Sequence, residues 1–170
     1  MLKDKSRFDL HLVMMFLFSD EVVLHVDDDR VAAKEFINNM KKENEDLDIG
    51  IISYDDLLPG TSRFGSAANV FHSSSYLFIF ETQNLTEAKL EMYITEIALV
   101  ETLNKSENKG RLIPVAVERD RTFENPILAP LLPLKYYNYL EAKNSQGSDQ
   151  DFIECFRHLI TSGRKQYLVN

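Results

Sequence analysis

Tyr76 to Phe80 reads YLFIF, an apolar run with no polar interruption. A strand with one face in water alternates apolar and polar side chains, whereas an unbroken run suits a strand covered on both faces, as in a parallel sheet. The run predicts the central strand of such a sheet. Upstream of it, Val22 to Val26 (VVLHV) and Ile49 to Ser53 (IGIIS) also read as strands. Between them Val31, Ala32, Phe36, Ile37 and Met40 keep helical spacing before the charged run Lys41 to Asp46, and Phe64, Ala67, Ala68 and Phe71 mark a short helix over Arg63 to His72.

Downstream, Leu85 to Leu103 reads as the longest helix, started by Thr86 with Glu87. Its apolar stripe takes in Leu90, Tyr93, Ile94, Ile97, Val100 and either Ala98 or Leu103. Leu112 to Val117 (LIPVAV) is a strand that Pro114 confines to a place near an edge. Pro126 to Pro133 (PILAPLLP) is too proline-rich for a regular helix and reads as a loop carrying apolar residues onto the core. Lys135 to Leu140 (KYYNYL), with its aromatic residues, reads as the last strand. After a polar linker, Ser145 to Gln150, the residues Phe152, Ile153, Phe156, Leu159 and Ile160 form a closing amphipathic helix. Strands alternating with helices predict an α/β fold, because parallel strands need crossovers and these are right-handed. The expected architecture is a flavodoxin-like three-layer fold: a five-stranded parallel sheet in the order 2-1-3-4-5, flanked by helices. Residues 1–20 read as an N-terminal extension, 21–162 as the domain and 163–170 as a tail.

The chain has 170 residues, of which 44% are hydrophobic and 27% charged, the profile of one globular domain. Its formal net charge of −8, without a dense Lys/Arg run, argues against nucleic acid as a partner. A single cysteine, Cys155, forms no internal disulfide, and without paired Cys/His spacings there is no zinc-ligand set, so a reducing, cytoplasmic setting is expected. Cys155 itself reads as a small buried hydrophobe. The apolar run Leu10 to Phe18 (LHLVMMFLF) falls short of the roughly 20 residues of a membrane helix. It follows a mixed-charge start and lacks a small-residue cleavage site, so it is expected to pack on the domain as an extra strand or helix, with no membrane insertion.

The segment Ile49 to Ser62, IGIISYDDLLPGTS, carries the second strand into an acidic loop. Pro59 presets φ for a turn and Gly60 supplies the positive φ of type II, which would hold Leu57 and Leu58 near solvent. Most Pro-Gly pairs only close a connection. Here adjacent leucines, flanked by Asp55, Asp56, Thr61 and Arg63, make a candidate contact patch oriented by charge. Asp27, Asp28 and Asp29 stand where the first helix begins, with Asp27 or Asp28 as its N-cap, and form an acidic rim at the carboxyl end of a parallel strand. Such a trio holds a divalent metal in phosphoacceptor receiver domains, but YLFIFET and LIPVAVE lack the later aspartate and lysine, so no metal is expected. His25 reads as a core or rim histidine, His11, His72 and His158 are scattered, and Ser73 to Ser75 open the central strand.

The blocks VVLHVDDD, DDLLPGT, HSSSYLFIF and RLIPVAV, in this order and over about Glu21 to Ile160, resemble successive boxes of Toll/interleukin-1 receptor (TIR) domains. The HVDDD start, the long third helix and the proline-interrupted stretch before YYNYL look most like the TICAM-type adaptors. The resemblance implies that Asp55 to Arg63 corresponds to the BB loop. It also implies partners that are other TIR domains, receptor or adaptor, with self-association, no cofactor, and a role in innate immune signalling. One departure concerns catalysis. NAD-cleaving TIR domains place a glutamate on the third helix, four residues after a tryptophan-like position, and the matched positions here are Leu90 and Ile94. Isoleucine offers no charge to a developing oxocarbenium ion. Glu91 is the neighbouring carboxylate able to substitute, while Glu96 points away, so the alternative implied is a TIR-type NAD+ glycohydrolase with a displaced catalytic glutamate.

Overall fold

The computed structural model describes residues 21–56, 74–104, 110–120 and 125–167, with side chains described except at 55 and 163–167. Five strands, β1 (Glu21–Leu24), β2 (Ile51–Ser53), β3 (Tyr76–Glu81), β4 (Leu112–Ala116) and β5 (Leu134–Lys135), form one sheet in the order β2-β1-β3-β4-β5. Every pairing is parallel. The helices are α1 (Arg30–Glu43), α2 (Gln83–Glu87), α3 (Lys89–Asn104), α4 (Tyr136–Asn144) and α5 (Gln150–Tyr167). This is the flavodoxin-like α/β arrangement expected from the sequence.

The central strand shows why both faces must be covered. Side chains along a strand point alternately to opposite faces, and in β3 both sets are apolar. Tyr76, Phe78 and Phe80 enter one core with residues of α1, α4 and α5, while Leu77 and Ile79 enter a second core with Leu85, Ile94 and Ala98 of α2 and α3. The strand β1 divides in the same way, Val23 to the first core, Val22 and Leu24 to the second. Phe36 of α1 is the hub of the first core: its ring lies 6.1 Å from Phe78, 6.2 Å from Phe80, 4.9 Å from Tyr136 and 6.2 Å from Phe156. Pro114 sits opposite Ile79 of β3, and β5 pairs only with Val115 and Ala116, so the missing amide faces no neighbouring strand.

Several expectations change. KYYNYL is not a strand: β5 ends at Lys135 and Tyr136 begins α4. Helical spacing puts Tyr136 and Tyr139 on one buried face, their rings 5.6 Å apart and both against Phe152. Packing overrides the β preference of aromatic residues here. The helix predicted over Leu85 to Leu103 is two helices broken at Ala88, whose backbone is extended, and α5 with 18 residues is longer than α3 with 16. The cap of α2 is Thr82, whose hydroxyl accepts from the Leu85 amide at 3.3 Å, rather than Thr86. The closing helix continues to Tyr167, past Gly163, where a tail was expected. Cys155 is exposed on α5 instead of buried. In α1, Val31 and Ala32 face solvent, and the buried face is Ala33, Phe36, Ile37, Asn39 and Met40. The N-terminal extension and the helix expected over Arg63 to His72 lie outside the described residues. Among those that are described, no helix is long and apolar enough to cross a membrane.

A polar seam locks α4 to α1. The Asn39 amide donates to the Tyr136 hydroxyl at 2.7 Å, Lys143 donates to the Asn39 carbonyl oxygen at 2.9 Å, and the Tyr139 hydroxyl donates to Glu43 at 2.8 Å. On the surface Arg157 grips Asp46 with both guanidinium arms, which holds that carboxyl below its usual range, though so exposed a pair adds little stability.

Removing the hub ring with Phe36→Ala is expected to cost about 3–5 kcal/mol in urea unfolding. Burial pushes the Tyr136 hydroxyl from 10.0 up to about 12, against the pull of the Asn39 hydrogen bond, and burial with the Glu43 hydrogen bond raises Tyr139 as well. The unfolded chain therefore loses these protons first. Stability is expected to be intact below pH 10 and to fall as pH rises from 10 toward 12, with a shallower slope in Tyr136→Phe, as read from unfolding midpoints against pH.

Candidate functional site

In a sheet of this order the crevice lies outside the carboxyl ends of the strands, beside β1 and β3, where the chain reverses direction across the sheet. The acidic rim and the start of the Pro-Gly loop both emerge at this end: Asp27–Asp29 form a 3₁₀ turn after β1, and Tyr54–Asp56 form another directly after β2. Asp56 is exposed. Leu57, Leu58, Pro59, Gly60, Thr61 and Arg63, together with the Asp55 side chain, lie outside the described residues.

The three rim aspartates do different work. Neither Asp27 nor Asp28 is the N-cap of α1, and no side chain caps the turn or the helix, because the acids occupy a 3₁₀ turn ahead of it. Asp27 is exposed and accepts from Arg30 at 2.9 Å. Asp28 is also exposed. Asp29 is half-buried and reaches across to the end of β3, where one carboxylate oxygen accepts from the Thr82 hydroxyl and the other from the Asn84 amide at 2.8 Å. It thus fastens the exit of β1 to the exit of β3. Both its oxygens are engaged in protein contacts, so its chemistry here is that of a cross-link between two loops.

A second joint connects β1 to β2. Buried His25 places Nε2 2.7 Å from the Ser53 hydroxyl oxygen and Nδ1 2.8 Å from the Val26 carbonyl oxygen. At the opposite end of the sheet Glu21 is buried next to its cross-strand partner Tyr76, and Arg111 donates to the carbonyls of Ser74 and Ser75, the latter at 3.2 Å. Burial first, and the Glu21 charge second, raise the Tyr76 hydroxyl, while Arg111 draws it down. Sequence reasoning passed over Ser53, Thr82, Asn84 and Glu21. The parallel register that pairs Val23 with Ser53 brings Ser53 within reach of His25, and the one that pairs Glu21 with Tyr76 sets those two side by side. The signal available beforehand for Ser53 and Thr82 was a polar residue where an apolar strand ends.

Helix α3 turns a different face inward than expected. Ile94 and Ala98 are buried, but so are Thr95 and Thr102, which return their hydroxyls to the carbonyls of Glu91 and Ala98, each at 2.8 Å. The cost of burying a hydroxyl is thereby met within the helix. Tyr93, Val100 and Leu103, expected in the apolar stripe, are instead 48%, 53% and 69% exposed. Glu91 is half-buried in the first turn, and Ile94 belongs to the second core beside Leu85 and Leu128. No group of three or more His, Cys, Asp or Glu side chains suited to a metal occurs among the described residues.

Asp29→Ala leaves the Thr82 hydroxyl and the Asn84 amide without their acceptor and is expected to cost about 1–3 kcal/mol. Asp28→Ala, at an exposed position, should stay within about 0.5 kcal/mol of the parent in the same urea titration. Comparison of the chain with protein-family models finds no match, and comparison with curated proteins likewise finds none, so residue identities and geometry carry the functional reading.

Proposed function

We propose that the chain is a TIR-type adaptor or signalling module of the cytoplasm. It associates with other TIR domains, copies of itself included, through the loop Asp55 to Arg63, and so takes part in innate immune signalling. The order of the quoted blocks supports the reading, as does the place of the loop's root on the carboxyl rim after β2. The observation that carries it furthest is the outer face of α3.

Tyr93, Val100 and Leu103 are spaced i, i+7 and i+10, so they share one side of the helix over about 15 Å of its length. The inner side of α3 is already filled by Ile94, Thr95, Ala98 and Thr102. Single exposed apolar residues need no explanation, but three aligned on one helical face form a surface suited to association. In this reading the loop of one copy, with Leu57 and Leu58, docks on α3 of the next. The two surfaces differ, so the contact is heterologous and repeats head to tail, which lets weak single interfaces add up in an assembly.

Pro59→His or the pair Leu57→Ala, Leu58→Ala in the loop, and Val100→Glu with Leu103→Glu on α3, are each expected to weaken self-association by about tenfold or more in light scattering, with an unchanged circular dichroism spectrum. Mixing a loop variant with an α3 variant restores pairs, since each retains one intact surface, but no longer assemblies. Association that survives all of these changes refutes the reading. Nicotinamide released from NAD by the parent chain, and lost in Glu91→Gln, would favour the glycohydrolase alternative.

A further inference from the structure

Residues 125–135 read NPILAPLLPLK, and burial divides them with a period of three. Leu128 and Leu131 pack in the second core and Leu134 in the first. Around them Ala129, Pro130 and Lys135 are exposed, Pro133 is half-buried, and Leu132 is 94% exposed, the highest value of any large hydrophobic among the described residues. A lone exposed leucine needs no explanation. Here the outward residues are two pairs of an apolar residue with proline, Ala129-Pro130 and Leu132-Pro133, three residues apart, with a cation two residues beyond the second proline. A polyproline II helix has three residues per turn, so side chains three apart share one of its three edges. On such a rod Leu131 and Leu134 share the edge turned into the protein, Pro130 and Pro133 share the second, and Leu132 and Lys135 share the third.

We propose that residues 129–135 are a ligand for an SH3-type groove on another protein, lined with aromatic rings and flanked by acidic side chains. A groove that grips a three-edged rod covers two edges and leaves the third untouched, and the third is the one already buried here. Proline holds φ at about −65°, close to the polyproline II value, so the rod is partly formed before binding. From Leu132 the chain runs without a turn into β5, while the first pair sits in a turn closed by the Leu131 amide donating to the Leu128 carbonyl at 2.9 Å. Seating Ala129 and Pro130 opens that single bond. Between Asn125 and Leu140 the only charged residue is Lys135, in a chain of net charge −8. An acidic groove is therefore attracted at this segment and repelled by the chain as a whole. Neither the Pro-Gly loop nor the outer face of α3 takes part.

The chain contains no tryptophan, so tryptophan emission in a mixture with an SH3 domain comes from that domain's groove alone. The full chain is titrated into a set of isolated SH3 domains that prefer ligands with two prolines three residues apart followed, two residues on, by Lys or Arg. A saturable change of emission is expected with at least one of them. Pro133→Ala and Lys135→Glu are each expected to weaken it by about tenfold or more. Pro126→Ala, exposed in the same loop but outside the spacing, keeps the parent affinity. Lys135 is exposed, so Lys135→Glu should also keep the parent circular dichroism spectrum and urea midpoint, which separates lost binding from lost fold. No change of emission with any domain of the set, or equal binding by Pro133→Ala and Lys135→Glu, overturns the proposal. A synthetic peptide of residues 129–135 that binds where the folded chain does not shows that the fold withholds the segment, and overturns it as well. Self-association that falls in Leu132→Ala, with no binding to any SH3 domain, assigns this edge to a second copy of the chain and overturns it likewise.

Discussion

The strand Tyr76–Glu81 is apolar toward both of its faces, and this constraint organises the domain. Phe78 and Phe80 cannot be hidden by the element that hides Leu77 and Ile79, so helices must lie on both sides of the sheet. Crossovers carry the chain from one side to the other, and parallel strands and the order β2-β1-β3-β4-β5 follow. Phe36 completes the arrangement on one face, because its ring meets two residues of the central strand, one of α4 and one of α5. The layers are held by that shared aromatic contact more than by any surface ion pair.

Polar groups inside this frame serve as joints. Asn39 donates to Tyr136 and accepts from Lys143, which fixes α4 against α1 at a place where apolar packing alone would allow sliding. At the carboxyl rim Asp29 joins the exits of β1 and β3, and His25 with Ser53 joins those of β1 and β2. Three consecutive strands of the sheet thus leave it through connected loops. In α3 two threonines with internally satisfied hydroxyls share the inner face with Ile94 and Ala98, while Tyr93, Val100 and Leu103 are left toward solvent. That outer face is what the proposed docking of loop on helix uses.

Strand identity and order were legible from residues 22 to 116 because burial on both faces leaves a plain mark: VVL, IIS, YLFIF and LIPVA are short apolar runs separated by helical spacing. Pro114 even located its strand correctly, next to a short edge. KYYNYL misled because aromatic residues favour strands in general, whereas here the spacing of Tyr136 and Tyr139 over Phe152 decided for a helix. The break at Ala88 left no mark, since alanine is a good helix former. The outer face of α3 was also hidden, because periodicity says which residues share a face and leaves open which face the sheet covers.

The sequence by itself determined the fold class, the parallel order and the acids placed after the first and second strands, all consequences of local hydrophobic pattern and turn chemistry. Only the tertiary structure decided which of those acids is a cross-link, that His25 meets Ser53, and that Tyr93, Val100 and Leu103 remain outside. These depend on register between strands and on the rotation of a helix against a sheet, quantities set by packing among residues far apart in the chain.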